Sequence, residues 1–385
     1  MKARISLLLL CLPLLAFAQP IVLKGPHYAV TSWAGPEAGK ATLGLMEGLL
    51  VRYNSVFLFD VSRTKNPWNV VVYSSKEEAE AALAGQTTRL KDFVYLEYAD
   101  PAKSQLVAWV SADGLGTDQV RSLAFQGFYQ FLWTFIPHPP AWIEIGLANV
   151  FWNSQWDGTT VTPNPDLPLL EALQKKWSEK APDVASLLSA PSGSLGSDND
   201  RDLEAWGLAA FLLETPEPSY ARLLGAALAE LSPTATEEVN RTAVGKRFQA
   251  SKDLTVLGAD VQAFWKARLG FAQRLAEGNA QYAANDLAGA RRSFQEALNL
   301  RPKDNGARYL CGLTAYESKD YTAAEAYFAQ VDGKSLPPGL LAYARGLTAF
   351  ALKNNPDAKT WLEQAKAEDA ATYEKLVAPV LELIK

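Results

Sequence analysis

Apolar residues in the first half of the chain keep two rhythms. The segments 27–32 (HYAVTS), 68–74 (WNVVVYS), 93–99 (FVYLEYA) and 105–111 (QLVAWVS) are short and rich in β-branched and aromatic residues, as strands with a covered face are. Between them, Glu37 to Val56 and the stretch SKEEAEAALAG place apolar residues three and four apart, which predicts helices. A further helix beginning near Thr117 should bury Val120, Leu123, Ala124, Phe128, Phe131 and Leu132; Pro137, Pro139 and Pro140 end it, and a new helix starts at Ala141. Alternation of short strands and helices predicts an α+β domain over 19–268: a small mixed sheet with helices against it (25–112), then a helical part (113–268). Punctuation in the helical part falls at Pro182, at SAPSGSLGSDND (189–200), at Pro216 and Pro218, and at Ser232-Pro233. The Ser/Gly/Asp stretch reads as a loop rather than a boundary, because helical sequence of the same composition flanks it.

From 269 to 385 the pattern repeats. Gly278, Gly312 and Gly346 lie 34 apart, and the same spacing relates Ala290, Ala324 and Ala358, then Phe294, Phe328 and Leu362, then Ala297, Val331 and Ala365. The first copy, LAEGNAQYAANDLAGARRSFQEALNLRPKD, resembles the tetratricopeptide family, including the small residues where helices cross and Pro302 after the second helix. The resemblance implies an all-α helical solenoid of three repeats, with 369–385, carrying Tyr373, Leu376, Val377, Val380, Leu381 and Leu383, as the capping helix. Cys311 falls at a helix-packing position and reads as core filler.

The tetratricopeptide resemblance also implies a concave groove lined by the first helix of each repeat. The positions it assigns are Leu275, Asn279 and Tyr282, then Tyr309, Leu313 and Tyr316, then Tyr343, Leu347 and Phe350. Such a groove is apolar and aromatic and suits a protein or peptide partner. Only Asn279 matches the family's carboxylate clamp, since Leu275, Leu310, Leu340 and Ala344 hold the other places, so a clamp for a chain terminus is not expected. The same aromatics would equally serve to pack against the protein's own upstream domain.

The stretch FQGFYQFLWTFIPHPPAWIEIGLANVF resembles the active-site helices of gluzincin metallopeptidases, in particular the peptidase MA-like group. The resemblance implies two metal ligands one turn apart, a general-base Glu beside the first, and a third ligand on the next helix. Phe125, Gln126, Tyr129 and Ile145 stand at those four positions, while Pro140, Trp142, Gly146, Leu147 and Ala148 keep the surrounding scaffold. Phe and Ile offer no lone pair and a neutral phenol is a poor zinc ligand, so no metal and no catalysis are expected: an apolar plug replaces the site. The alternative is a hydrolase or peptidase with an unorthodox site, either without zinc or relocated onto His138 and Glu144. Trp133, Trp142, Trp152 and Trp156 crowd one region and suggest either a sugar-stacking cleft or, more economically, helix packing.

Composition narrows the partners. The chain has 385 residues, 48% hydrophobic and 21% charged, enough for two or three packed domains and without a disorder signature. Residues 1–18 carry Lys2 and Arg4, an apolar run and Ala16-Phe17-Ala18, the marks of a secretory leader cleaved after Ala18; a lipoprotein cut at Cys11 is disfavoured by Leu8 and Leu10. Removing that leader makes the formal charge of −5 more negative by two, which disfavours nucleic acid and anionic lipid. The expectation is an exported periplasmic or cell-surface protein without a membrane span, with Cys311 as its one thiol and no cofactor, because no phosphate loop, nucleophile elbow or paired-cysteine motif is present.

Overall fold

The computed structural model describes residues 19–84, 92–110, 114–195 and 199–384; the expected leader with Cys11, and residues 196–198 of the 189–200 loop, lie outside them. The chain divides into two compact units, one of 1–163 with 184–254 and the other of 164–183 with 255–385.

The first unit opens with β1 (Ile21–Lys24), β2 (Tyr28–Ser32), α1 (Pro36–Phe57), β3 (Trp68–Tyr73), α2 (Lys76–Ala82), β4 (Val94–Leu96) and β5 (Gln105–Trp109). The strands form one mixed sheet in the order β1-β2-β3-β5-β4, parallel at its centre and antiparallel at both edges. Val30, Val70 and Leu106 sit side by side across the three central strands, all fully buried. Strand β1 escaped the sequence pattern because an edge strand has little to bury: Ile21 and Val22 are exposed.

Helices α3 (Thr117–Phe135) and α4 (Ala141–Trp152) follow, separated by the proline cluster that cannot continue a helix. All six residues expected to be buried on α3 are buried. The core gathers around Tyr53 of α1, whose ring lies 5.6 Å from Phe128, 5.6 Å from Phe131 and 4.8 Å from Phe151, and whose hydroxyl donates to the Ala124 carbonyl at 2.7 Å. A small hairpin of β6 (Ser154–Trp156) and β7 (Val161–Pro163) comes next. Its strands are too short to register as a pattern; Asp157 makes the turn by accepting from the amides of Thr159 and Thr160.

Residues 164–183, with α5 (Leu170–Lys176), belong to the second unit. The first unit resumes with α6 (Val184–Leu188), α7 (Asn199–Glu214), α8 (Pro218–Leu228) and α9 (Glu237–Ser251). Gly146 lets α4 and α7 approach backbone to backbone, since a Cβ there would lie 2.5 Å from the Ala205 carbonyl oxygen.

The second unit continues with α10 (Leu254–Lys266), which is tied to the segment 164–183. Gln174 donates to the carbonyls of Trp265 and Arg268 at 2.8 and 2.7 Å, and Gln262 donates to the Trp177 carbonyl at 2.6 Å. The division into compact units accordingly falls at 254/255 and sets 164–183 with the C-terminal part.

Three helical hairpins follow: α11 (Phe271–Ala283) with α12 (Leu287–Leu300), α13 (Asn305–Glu317) with α14 (Tyr321–Phe328), and α15 (Leu340–Ala351) with α16 (Asn355–Glu368); α17 (Ala370–Leu383) closes the unit. In each hairpin a glycine of the first helix faces a large side chain of the second: a Cβ on Gly278, Gly312 or Gly346 would meet Phe294, Phe328 or Leu362 at 2.5, 2.5 and 2.7 Å. Phe294, Phe328 and Leu362 are buried, as are Ala290, Ala324 and Ala358. Each turn is also the same. Asn285, Lys319 and Lys353 adopt positive φ, and the next residue, Asp286, Asp320 or Asn354, donates its amide to the carbonyl five residues back and caps the second helix with its side chain. In α17 Tyr373 and Val377 are buried, whereas Leu376 and Leu383 are exposed.

Candidate functional site

Two regions hold the residues singled out by sequence, one in each unit. In the first unit Phe125, Tyr129 and Trp133 form a ladder along α3, each one turn from the last. Phe125 and Tyr129 meet edge to face at 5.0 Å, Tyr129 and Trp133 stack at 5.3 Å, and Trp133 leans on Tyr95 of β4 at 5.8 Å. Gln126 is drawn to the sheet edge, where its Oε1 accepts the Tyr95 amide at 3.0 Å and so occupies an outward-facing donor of the edge strand. Ile145 is buried on α4. The residues at the four metallopeptidase-like positions are thus two half-buried rings, an amide engaged elsewhere and a buried alkyl group; their chemistry does not fit a zinc ion. Among the described residues no three His, Cys, Asp or Glu side chains stand together as a metal-holding group.

The Glu144 carboxylate of α4 lies within electrostatic reach of the Tyr129 phenol, together with Asp202 of α7. Burial pushes the Glu144 carboxyl up to about 7, and burial followed by the two carboxylates pushes the Tyr129 phenol upward as well. How α4 is rotated against α3 decides that neighbourhood, and no local pattern carries this information. His138 is exposed and makes no ion pair or side-chain hydrogen bond with Glu144 among the described residues; its carbonyl accepts from Asn240 at 2.9 Å. His27 is bound to Glu47, Nδ1 to Oε2, at 2.9 Å.

In the second unit, Leu275, Tyr282, Tyr309, Leu313, Tyr316, Tyr343, Leu347 and Phe350 are all half-buried, and Asn279 is exposed. Most of them also pack inward: Leu275 and Tyr282 against the first hairpin's core, Tyr309 and Tyr316 against that around Phe328, and Tyr343 and Leu347 against that around Leu362 and Tyr373. The rings of Tyr309 and Phe328 lie 5.5 Å apart, those of Tyr316 and Tyr321 5.4 Å, and those of Tyr343 and Tyr373 5.1 Å. The phenols themselves converge. Burial and then the nearby Tyr373 and Tyr282 hydroxyls push Tyr309 up to about 12, and Tyr343 acts on both Tyr316 and Tyr373. Tyr282, Tyr309, Tyr316 and Tyr343, from the first helices of the three hairpins, and Tyr373 of α17 are thus near enough to influence one another in pairs. Cys311 is buried, and burial raises its thiol to about 11, as befits a packing residue.

Compared with protein-family models, with curated proteins and with solved structures, the chain finds no match. Among the described residues, no helix is long and apolar enough to cross a membrane.

Proposed function

We propose that this chain is an exported, non-catalytic scaffold or assembly protein of the periplasm or cell surface. A tetratricopeptide-like array binds a partner polypeptide, and the domain before it is a metallopeptidase-like fold without a working site. The feature that carries this reading is the recurrence of half-buried tyrosines, Tyr282, Tyr309, Tyr316 and Tyr343, on the first helix of all three hairpins. Such rings offer large, rigid contact area with a hydrogen-bonding edge, the combination that dominates peptide interfaces. The aromatic ladder at Phe125 and Tyr129 and the Gln126 tie to β4 support the second half of the reading, since they spend on packing the positions that catalysis would need.

The purified protein should contain no stoichiometric zinc, and chelator should leave its melting curve unchanged. One equivalent of tightly held zinc, with stability falling in chelator, would contradict the loss of the site. A second reading, a non-metal hydrolase, draws on Glu144, whose burial brings its carboxyl to the range in which a group can both give and take a proton at neutral pH.

A further inference from the structure

The first unit contains a cavity of about 730 Å³ that neither reading uses. Trp68, Tyr95, Tyr98 and Trp133 contribute to its walls, with the exposed Lys65 and Glu97 at its margin. Gln130 of α3 also lines it, although only 1% exposed. Its Nε2 donates to the Asn69 carbonyl at 3.0 Å, which fixes the amide's orientation, and among the described residues its Oε1 finds no donor. A buried acceptor left without a donor is costly, so a group bringing an N–H or O–H to that point is favoured. Of the four tryptophans that crowd this stretch of sequence, Trp142 is fully buried in the core, and Trp133 is the one that reaches the cavity.

We infer that this cavity binds a neutral oligosaccharide. The rings present apolar surface to the C–H faces of a sugar, and Gln130 Oε1 takes a hydroxyl proton; Arg63, which also lines the cavity, is paired with Asp60 at 2.9 Å, leaving Lys65 and Glu97 as a donor and an acceptor of opposite charge that match a ligand with no net charge. The volume falls in the range of small-ligand pockets, roughly 300–1,000 Å³. An extended peptide fits less well, because Gln126 already holds the outward Tyr95 amide with which an incoming strand would pair.

The test is titration of the full chain with cellotriose, maltotriose and chitotriose, read by calorimetry and by tryptophan fluorescence, with trialanine as the peptide probe. Saturable binding of at least one sugar is expected, at least tenfold weaker in Trp133→Ala and in Tyr98→Ala. Should Trp133→Ala fail to fold, Tyr98→Ala and Lys65→Met at the margin still decide the matter. No binding of any of the three sugars overturns the inference, as does sugar binding that all folded variants keep, or binding of trialanine alone.

Discussion

Phe328→Ala should destabilise the second hairpin by about 3–5 kcal/mol, because the ring is fully buried and its removal leaves a cavity that packed helices cannot close. Gly312→Leu should be harmful for the opposite reason, overfilling the same place: a Cβ would sit 2.5 Å from the Phe328 ring, and overpacking of this kind costs about 1–3 kcal/mol or more. The double variant separates this packing account from a general loss of helix stability. A leucine at 312 can occupy part of the space the ring vacates, so the pair should cost less than the sum of the two single changes. Urea denaturation of the three variants measures it, and strict additivity would mean that the two positions do not share one packing site.

Glu144→Gln should change how stability depends on pH by roughly 3 kcal/mol, taking each pKa unit as about 1.4 kcal/mol. The Glu144 carboxyl stands at about 7 in the folded chain against a usual 4.5, because burial favours its neutral form. Its contribution to stability is therefore intact below pH 4.5 and is lost as the pH rises through 7. Glutamine is neutral at every pH, so wild type and variant should match near pH 4 and diverge in the variant's favour by pH 8. Parallel profiles would show that Glu144 reaches solvent. The same variant addresses the hydrolase reading: any peptidase activity that depended on Glu144 would disappear with it.

Both expectations rest on features of different legibility. The repeat was plain in sequence because close crossing of two helices demands a small residue on one and a large one on the other, and the hairpin carries that demand 34 residues along each time. The caps Asp286, Asp320 and Asn354 keep the same spacing and could have been found in the same search. The central strands and the helices after the sheet were equally readable, since each buries one face, and the prolines mark where α3 stops. Contacts between elements distant in sequence were not readable. Nothing near Gln126 announces that it will hold the Tyr95 amide, nothing in 164–183 shows that Gln174 will reach the carbonyls at the end of α10, and the nearness of Glu144 to Tyr129 follows from the mutual rotation of α3 and α4. The groove residues fall between. Their place on the first helix of each hairpin follows from the repeat, but their inward packing against Phe328, Leu362 and Tyr373 needs the assembled hairpins.

The central claim is that the half-buried first-helix aromatics of the hairpins bind a polypeptide, and the measurement closest to it is quantitative capture of envelope partners by wild-type protein, by Tyr316→Ala/Phe350→Ala and by Arg292→Ala. Arg292 is exposed on the second helix of the first hairpin and serves as the control. Truncating two interface anchors should weaken association by about 2 kcal/mol or more, roughly thirtyfold, while Arg292→Ala captures as wild type does. The melting temperature of the double variant should fall less than that of Phe328→Ala, since both residues are half-buried rather than core. Undiminished capture by the double variant, with a melting temperature lowered as far as by Phe328→Ala, would contradict the account and assign these rings to packing within the chain.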